Sequence, residues 1–285
     1  MNHISYSQLS IYSGCPFRWK LRNIDGINLS RPNIYLIFGS AMHTTLQTYL
    51  DIMYTESIVN ANKLNLPDIL KTEMIAEFNK SKERYDVVPC TKGQLYEFFD
   101  DGIAMLDFFK KRRASYFNKN WELLGCEFSL NAKLKDNLKF VGYIDVILKN
   151  NNTGKLRIID IKTSTRGWRN KEKKDKSKLA QLLLYKYFYS EKYDVDMGDV
   201  DVEYFILKRK LWENVDFPQK RIQIFKPANG KVSINRVKGE LFNFIEKVFD
   251  EQGNYLTSDH DATPSKDSCR WCEFNQTKHC DKGIR

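Results

Sequence analysis

Two short segments in the middle of the chain combine carboxylates with a lysine. They are GYID at 142–145 and IDIKT at 159–163. Side chains two residues apart on a strand share a face, so Asp160 and Lys162 should point the same way. Carboxylate oxygens suit a hard divalent cation, and an adjacent ammonium can stabilise charge that develops on a phosphate. The two segments therefore indicate a site for metal-assisted hydrolysis, although an isolated Asp-x-Lys is also typical of a structural salt bridge.

Further polar residues could join Asp145, Asp160 and Lys162. Residues 156–159 are largely apolar, and a carboxylate and an amine at the end of a buried strand are costly without a function. Glu127 lies one predicted strand earlier and could reach the same end of the sheet. His43 is expected in the first turn of a helix that follows Gly39. Gln181 and Tyr185 are four residues apart, on one face of a predicted helix.

Four of the six cysteines are divided between the two ends of the sequence: Cys15, then Cys269, Cys272 and Cys280. The Cys-x-x-Cys spacing at 269–272 is typical of a ligand pair for a metal. Zinc would need a fourth ligand, for which His279, His260 and Cys15 are the candidates, whereas four thiolates also suit a [4Fe–4S] cluster. Spacing alone favours zinc.

The composition is typical of a soluble globular protein, and its positive charge favours a polyanion as partner, although a basic surface can also serve solubility alone. The 285 residues are 42% hydrophobic, and 46 Lys and Arg against 36 Asp and Glu give a net charge of +10. Nucleic acid is the commonest partner of such a basic surface. No apolar run approaches a membrane span, and the first residues lack the pattern of a secretory signal. We therefore expect a cytoplasmic protein with no membrane partner.

The periodicity of apolar residues predicts helices first and a sheet afterwards. A first helix, capped by Ser5 or Ser7 and broken near Cys15 by Pro16, should run to about Arg22. The other predicted helices are 41–54, 67–85, 93–118, 178–191 and 238–251. The predicted strands are 121–134, 140–149, 155–163, 200–208 and 221–225, with a turn at 150–154.

A basic segment, RGWRNKEKKDKSK at 166–178, joins the Asp-x-Lys strand to the helix with Gln181. Such a run is often only a solvated loop, but here it should lie beside the candidate site, where it could contact phosphates. A tryptophan in it could stack on an unpaired base. The predicted DNA-binding residues are Arg166, Trp168, Arg169, Lys171, Lys173 and Lys174.

The order of these motifs along the chain resembles the RecB-like branch of the PD-(D/E)XK nuclease superfamily. The series is Gly-x-x-x-His at 39–43, Glu127, Gly-x-x-Asp at 142–145, Asp-x-Lys at 160–162 and Gln-x-x-x-Tyr at 181–185. The resemblance implies a restriction-endonuclease-like α/β fold, a mixed central sheet flanked by helices. It also implies that Mg²⁺ or Mn²⁺ binds His43, Asp145, Asp160 and the Ile161 carbonyl. Catalytic roles would fall to Lys162, Asp160, Asp145 and Glu127, with Gln181 and Tyr185 positioning DNA or the lysine.

The segment CPFRWK at 15–20 resembles the iron–sulfur nucleases of this branch, which include AddB-type nuclease domains and the CRISPR-associated nuclease of spacer acquisition. Those families place one cysteine before the nuclease core and three after it. The resemblance therefore implies a [4Fe–4S] cluster on Cys15, Cys269, Cys272 and Cys280 in preference to zinc. Seven residues between Cys272 and Cys280 are slightly more than the family pattern.

We expect a single nuclease module over 1–285, with a helical region at 1–120, a nuclease core at 121–252 and a cysteine-rich tail at 253–285. The predicted function is a metal-dependent deoxyribonuclease, an exonuclease on single strands or DNA ends, in recombination, repair or phage replication. Helicase, recombination or replication proteins are conceivable partners in a prokaryotic or phage-infected cell. The alternatives are a non-cleaving nucleic-acid-binding module and a zinc-stabilised structural subunit of a repair complex.

Overall fold

Helices occupy the first part of the chain, and strands with intervening helices follow, as predicted. The computed structural model describes residues 1–257 and 260–284. The strands are β1 (Asn2–Ile4), β2 (Trp121–Lys135), β3 (Leu138–Asn150), β4 (Leu156–Ser164), β5 (Val200–Lys208) and β6 (Ile222–Phe225). The helices are α1 (Tyr6–Gly14), α2 (Pro16–Asn23), α3 (Ile34–Thr55), α4 (Ile58–Lys63), α5 (Leu66–Tyr85), α6 (Lys92–Arg112), α7 (Asn170–Lys174), α8 (Lys176–Tyr193), α9 (Lys231–Val248) and α10 (Lys266–Cys269).

The six strands form one mixed sheet with β3 at its centre. β2 runs antiparallel along almost the whole of β3. β1 and β4 therefore share the other edge of β3: β1 pairs in parallel with 138–140, and β4 pairs antiparallel with 146–149. Beyond β4, β5 is parallel to it and β6 is antiparallel to β5. Residues 141–145 of β3 thus face a gap between two neighbouring strands.

Helices cover both faces of this sheet. Along β5, Tyr204 and Ile206 join one buried core, with residues of α1, α2, α8 and α9. Phe205 and Leu207 join a second core, with residues of α3, α5 and α6. This alternation follows from the two-residue period of a strand. The predicted fold class, a mixed central sheet flanked by helices, is confirmed.

The ends of several helices correct or confirm the sequence predictions. The Ser5 hydroxyl caps α1 by accepting from the backbone N–H of Gln8 at 3.4 Å, and the chain breaks at Cys15 before Pro16, as predicted. The predicted start of a helix at Ala41 is wrong, because α3 begins at Ile34 with the Asn33 side chain as its cap. Strand β1 and the short helices α4, α7 and α10 were not predicted.

The predicted turn between β3 and β4 is confirmed. The Asn150 side-chain oxygen accepts from the backbone N–H groups of Asn152 and Thr153 at 3.0 Å. Gly154 has φ +72°, a left-handed conformation that glycine adopts without the steric cost of a side chain. The turn therefore fixes the register of β3 against β4. Among the described residues, no helix is both long and apolar enough to cross a membrane.

Candidate functional site

The two central aspartates lie where β3 and β4 separate. The ladder between these strands ends at the pair Val146 and Ile159, and Asp145 and Asp160 are the next residues on each strand. Asp145 Oδ2 accepts a hydrogen bond from the backbone N–H of Ile161 at 2.7 Å. That bond replaces a ladder contact and fixes the Asp145 carboxylate between the two strands.

Asp160 is enclosed by the protein yet poorly satisfied. It is 1% exposed, and its Oδ1 has no hydrogen-bond partner among the described residues. Its Oδ2 lies 2.7 Å from Lys162 Nζ. A buried carboxylate oxygen without a partner carries a large desolvation cost, which a bound cation would relieve.

Burial changes the protonation of all three charged groups. Desolvation raises the pKa of Asp145 and of Asp160 to about 6, against the opposing effect of the Lys162 ammonium. Burial also lowers the pKa of Lys162, but the carboxylates of Asp160 and Asp145 outweigh it, so this pKa lies above its usual value. Lys162 is therefore a cation at neutral pH, and the two carboxyls titrate near pH 6.

His43 comes to this site from the middle of α3, where it is the tenth residue. The expectation that it would lie in the first turn of a helix is wrong, because Asn33 and not Gly39 precedes the helix. Its Nδ1 lies 3.4 Å from Asp145 Oδ2. Burial, followed by the positive charge of Lys162, lowers the pKa of His43. The imidazole is therefore neutral at pH 7 and has a lone pair for a metal.

Gln47, which the sequence analysis did not identify, holds Glu127 opposite Asp145. The β2–β3 pairs Cys126 with Val146 and Phe128 with Ile144 leave Glu127 facing Asp145. Glu127 has φ +46°, a strained conformation for a non-glycine residue that is typical of functional sites. Gln47 Nε2 donates to Glu127 Oε1 at 2.9 Å and to the Asp145 carbonyl at 3.1 Å. Because residues four apart lie on one face of a helix, the spacing of His43 and Gln47 is the one signal in the sequence that points to Gln47.

On the other side of the sheet, α8 supplies a chain of amides and hydroxyls. Lys162 Nζ donates to Gln181 Oε1 at 3.3 Å, and Gln181 Nε2 donates to Tyr185 Oη at 3.3 Å. A Cβ on Gly142 would lie 2.5 Å from Tyr185 Cε1. Glycine at this position of β3 therefore allows the tyrosine ring to pack directly on the strand.

The donor set suits a hard divalent cation. Within residues 1–257 and 260–284, no group of three or more His, Cys, Asp or Glu side chains is arranged so that it could hold a metal ion. The chemistry of the residues nevertheless fits: two carboxylates, a neutral imidazole and the Ile161 carbonyl surround the point where the strands part. The unpartnered oxygen of Asp160 is the strongest indication.

The four predicted cluster ligands come together in space. Cys15, Cys269, Cys272 and Cys280 all line one cavity, next to Phe17 and Phe274, and all are free thiols. Neither His260 nor His279 is among the lining residues that the structure describes. Instead, the His260 ring packs against Trp19 and Tyr12. The four thiols share this cavity but, within the described residues, are not arranged so that they could hold a metal ion. Their chemistry, four sulfur donors without histidine, is that of a [4Fe–4S] cluster or a four-cysteine zinc site.

Protein contacts also join the two ends of the chain around this cavity. Arg18 Nε donates to Glu273 Oε2 at 2.9 Å, and Arg22 lies 3.2 Å from the other oxygen of Glu273. The Thr263 hydroxyl donates to the Gly14 carbonyl at 3.2 Å. The Glu273 side chain is only 10% exposed, so solvent and salt screen these ion pairs less than pairs on the open surface.

The predicted DNA-binding segment leaves the sheet directly after β4 and returns through α7 to α8. Trp168 is half-buried and packs against Tyr204, with 4.6 Å between the ring centroids. Lys173 is also half-buried. The exposed members of the predicted set are Arg166, Arg169, Lys171 and Lys174.

The solved structures that are similar to the chain include the following two. One is a protein named SSO0001, with 14% identity and a TM-score of 0.38 over 96% of this chain and 84% of that one. The other, provisionally named an exonuclease, is from Eubacterium rectale, with 11% identity and a TM-score of 0.46 over 85% of this chain and 78% of that one. Both scores are too low to support an inference.

No curated protein matches the chain. A family description, the PD-(D/E)XK nuclease superfamily, matches residues 3–277. This match includes both strands that carry the aspartates, the helix with His43 and the helix with Gln181. The chain belongs to the PD-(D/E)XK nuclease superfamily.

Proposed function

We propose that this nuclease is a deoxyribonuclease of the RecB-like branch that uses Mg²⁺ or Mn²⁺ and acts as an exonuclease on single strands or DNA ends. The observation that carries the proposal is the buried, unpartnered Asp160 oxygen beside Asp145, His43 and Lys162. The superfamily generally uses these two metals. When bound, the cation would supply Lewis-acid stabilisation of the phosphate charge and activate water.

The side chains at the site would have three roles: binding the cation, stabilising charge on the phosphate and positioning the lysine. Asp145, Asp160, His43 and the Ile161 carbonyl would hold the cation, and Glu127 would assist from β2. Lys162, kept cationic by its two carboxylate neighbours, would stabilise negative charge on the phosphate or orient the attacking water. Gln181 would hold the lysine in place through its hydrogen bond, with Tyr185 behind it.

We further propose that the cysteine set (Cys15, Cys269, Cys272 and Cys280) holds a [4Fe–4S] cluster with a structural role. Their position on one cavity supports a shared ligand. The exposed basic residues after β4 would contact DNA phosphates. Recombination, repair or phage replication would be the setting, and helicase, recombination or replication proteins the partners.

The decisive variant is Asp160→Asn, which keeps the size of the side chain and removes its charge. Anaerobically purified protein would be given end-labelled linear and circular DNA, single- and double-stranded, with Mg²⁺ or Mn²⁺. We expect loss of cleavage by about 100-fold or more, because the buried ligand charge is absent. The matched control is Asp136→Asn, at an exposed aspartate paired with Lys133, which should cut as the wild type does.

The same assay separates the alternatives. A linear substrate that is degraded while the circular one survives would support exonuclease action. Equal cleavage by Asp160→Asn and wild type would reject the proposed site. A wild-type protein that binds DNA without cutting it under any metal would favour a non-cleaving binding module.

A further inference from the structure

The loop between β5 and β6 presents an exposed tryptophan near the end of the sheet. Trp212 is 56% exposed, and the Arg166 guanidinium lies over its ring, 4.1 Å from the centroid. An indole with one face covered by a cation and more than half of its surface in solvent has its other face available. Unpaired nucleobases stack on surfaces of this kind.

Trp212 is held in place although it is exposed. Its backbone N–H donates to Gln219 Oε1 at 2.8 Å, and Gln219 Nε2 donates to the Trp212 carbonyl at 2.7 Å. At the base of the loop, Arg209 and Lys210 donate backbone hydrogen bonds to residues 164 and 165. These bonds fix the backbone of Trp212 beside the end of β4, and the Arg166 guanidinium covers one face of its ring, so stacking on the other face would cost less ordering entropy than on a mobile loop.

Several positively charged side chains belong to the ends of β4 and β5 and to the segment after β4. Lys208, the last residue of β5, lies against the segment that follows Arg166, where a Cβ on Gly167 would be 3.3 Å from Lys208 Cε. Burial lowers the pKa of Lys208, and the positive charge of Lys173 lowers this pKa further. Arg166 adds a third positive charge on the exposed side. By contrast, Lys210 is neutralised by Glu97 and Asp101. Like charges brought together favour a polyanion such as a DNA strand.

The tryptophan is also within reach of the candidate catalytic lysine. Arg166 follows Lys162 by four residues, so even a fully extended chain separates their Cα atoms by no more than about 14 Å. A DNA strand with a phosphate at Lys162 would pass Arg166 within a few nucleotides. Base pairs inside an intact duplex are stacked on both faces, and only the terminal pair has an open face, whereas every unpaired base of a single strand can unstack and offer one.

We propose that Arg166 and Trp212 form a stacking site for an unpaired base of the strand that is being cut, and that this site makes the enzyme prefer single-stranded DNA. The inference rests on the proposed nuclease function and adds to it a specificity-determining residue.

The test is equilibrium binding of labelled strands in an Asp160→Asn background, which prevents cleavage. The two probes are an oligothymidylate and an abasic strand of the same length, which has the same phosphates and no bases. We expect Trp212→Ala to weaken oligothymidylate binding by about 5- to 150-fold and to leave abasic binding within about twofold. Trp212→Phe should restore most of the loss, because a ring is present again.

Trp271→Ala is the matched control, since Trp271 is 78% exposed and also has an arginine over its ring, but lies in the cysteine-rich tail. It should bind both probes as the parent does. An equal loss on both probes, or no loss, would overturn the stacking site while leaving the nuclease proposal intact. A parent protein that binds neither probe but binds duplex ends would overturn this inference alone, whereas a parent that binds no DNA at all would overturn the nuclease proposal as well.

Discussion

At the scale of single residues, the candidate site accepts several unfavourable arrangements at once. Asp160 is a buried carboxylate with one unpartnered oxygen, and Asp145 is nearly as enclosed. Glu127 adopts a left-handed backbone conformation within a strand. Each of these costs about 1–3 kcal/mol in a protein, and they coincide at the point where two strands part. Several energetically unfavourable arrangements in one place are typical of an active site, where function limits stability.

The raised pKa values of Asp145 and Asp160 predict how metal binding depends on pH. A cation binds the ionised carboxylates, so protons compete with it below about pH 6. The affinity for Mn²⁺, measured by calorimetry, should be nearly constant above pH 7. It should fall by about 10- to 100-fold per pH unit below pH 6, depending on whether one or two protons are taken up.

Because the two carboxyls are coupled, the titration belongs to the pair and not to either residue alone. Asp136→Asn should leave the pH profile unchanged, since Asp136 is exposed and distant from the site. An affinity that stays constant down to pH 5 would contradict the assignment of Asp145 and Asp160 as the ligands.

At the scale of elements, the sequence predicts the strands that carry the aspartates more accurately than α3, the helix that carries His43. The apolar alternation and the turn at 150–154 placed β3, β4 and β5 to within two residues, because burial fixes the period of a strand. The start of α3 was misplaced because Gly39-Ser40 reads as a helix start, whereas Asn33 supplies the actual cap. The three-residue strand β1 carries too few residues to show any period. The spacing of Gln47 from His43 shows only that they share a face of α3; the bonds that give Gln47 its role join it to Glu127 and Asp145, 80 and 98 residues away in sequence.

The contact between β3 and α8 gives a second prediction. Gly142→Ala would bring a methyl group within 2.5 Å of the Tyr185 ring and 3.2 Å of Phe140. We expect this overpacking to lower the free energy of unfolding by about 1–3 kcal/mol, as measured by urea denaturation. It should also reduce cleavage, because Tyr185 contacts Gln181, which holds Lys162.

A double-variant cycle identifies the cause. In a Tyr185→Ala background the cost of Gly142→Ala should become small, because the clashing ring is gone. Gly239→Ala is the control: Gly239 lies in α9 with nothing near its Cβ position, so alanine there should stabilise by about 0.5–1 kcal/mol. Equal costs in both backgrounds would show that the backbone at Gly142 or the Phe140 ring, and not the Tyr185 ring, limits the substitution.

At the scale of the whole molecule, the fold brings two distant ends of the chain together twice. The Asn2 side chain of β1 donates to the Gly253 carbonyl at 3.0 Å, and α2 meets the tail through Arg18, Arg22 and Glu273. The cysteine set lies in this second junction. Residues 15 and 269 are more than 250 positions apart, so a ligand shared between them would close a loop that contains the whole nuclease core.

This arrangement predicts that Cys15 is as necessary for iron binding and for stability as the cysteines of the tail, although it lies far from them in sequence. Cys15→Ser and Cys280→Ser should each remove iron and the broad absorbance near ~400 nm from anaerobically purified protein. Each should also lower Tm by roughly 5 °C or more, because a ligand that binds only the folded state stabilises it.

Cys90→Ser is the matched control, since Cys90 is a buried thiol of the other helical layer and should not affect the iron content. A colourless protein with one zinc per chain, lost in the same two variants, would replace the cluster by zinc and keep the junction. Unchanged Tm in Cys15→Ser, with neither iron nor zinc in the wild type, would show that Glu273 and its two arginines hold the ends together without a metal. In that case the four thiols would share a cavity only because the fold places α2 beside the tail.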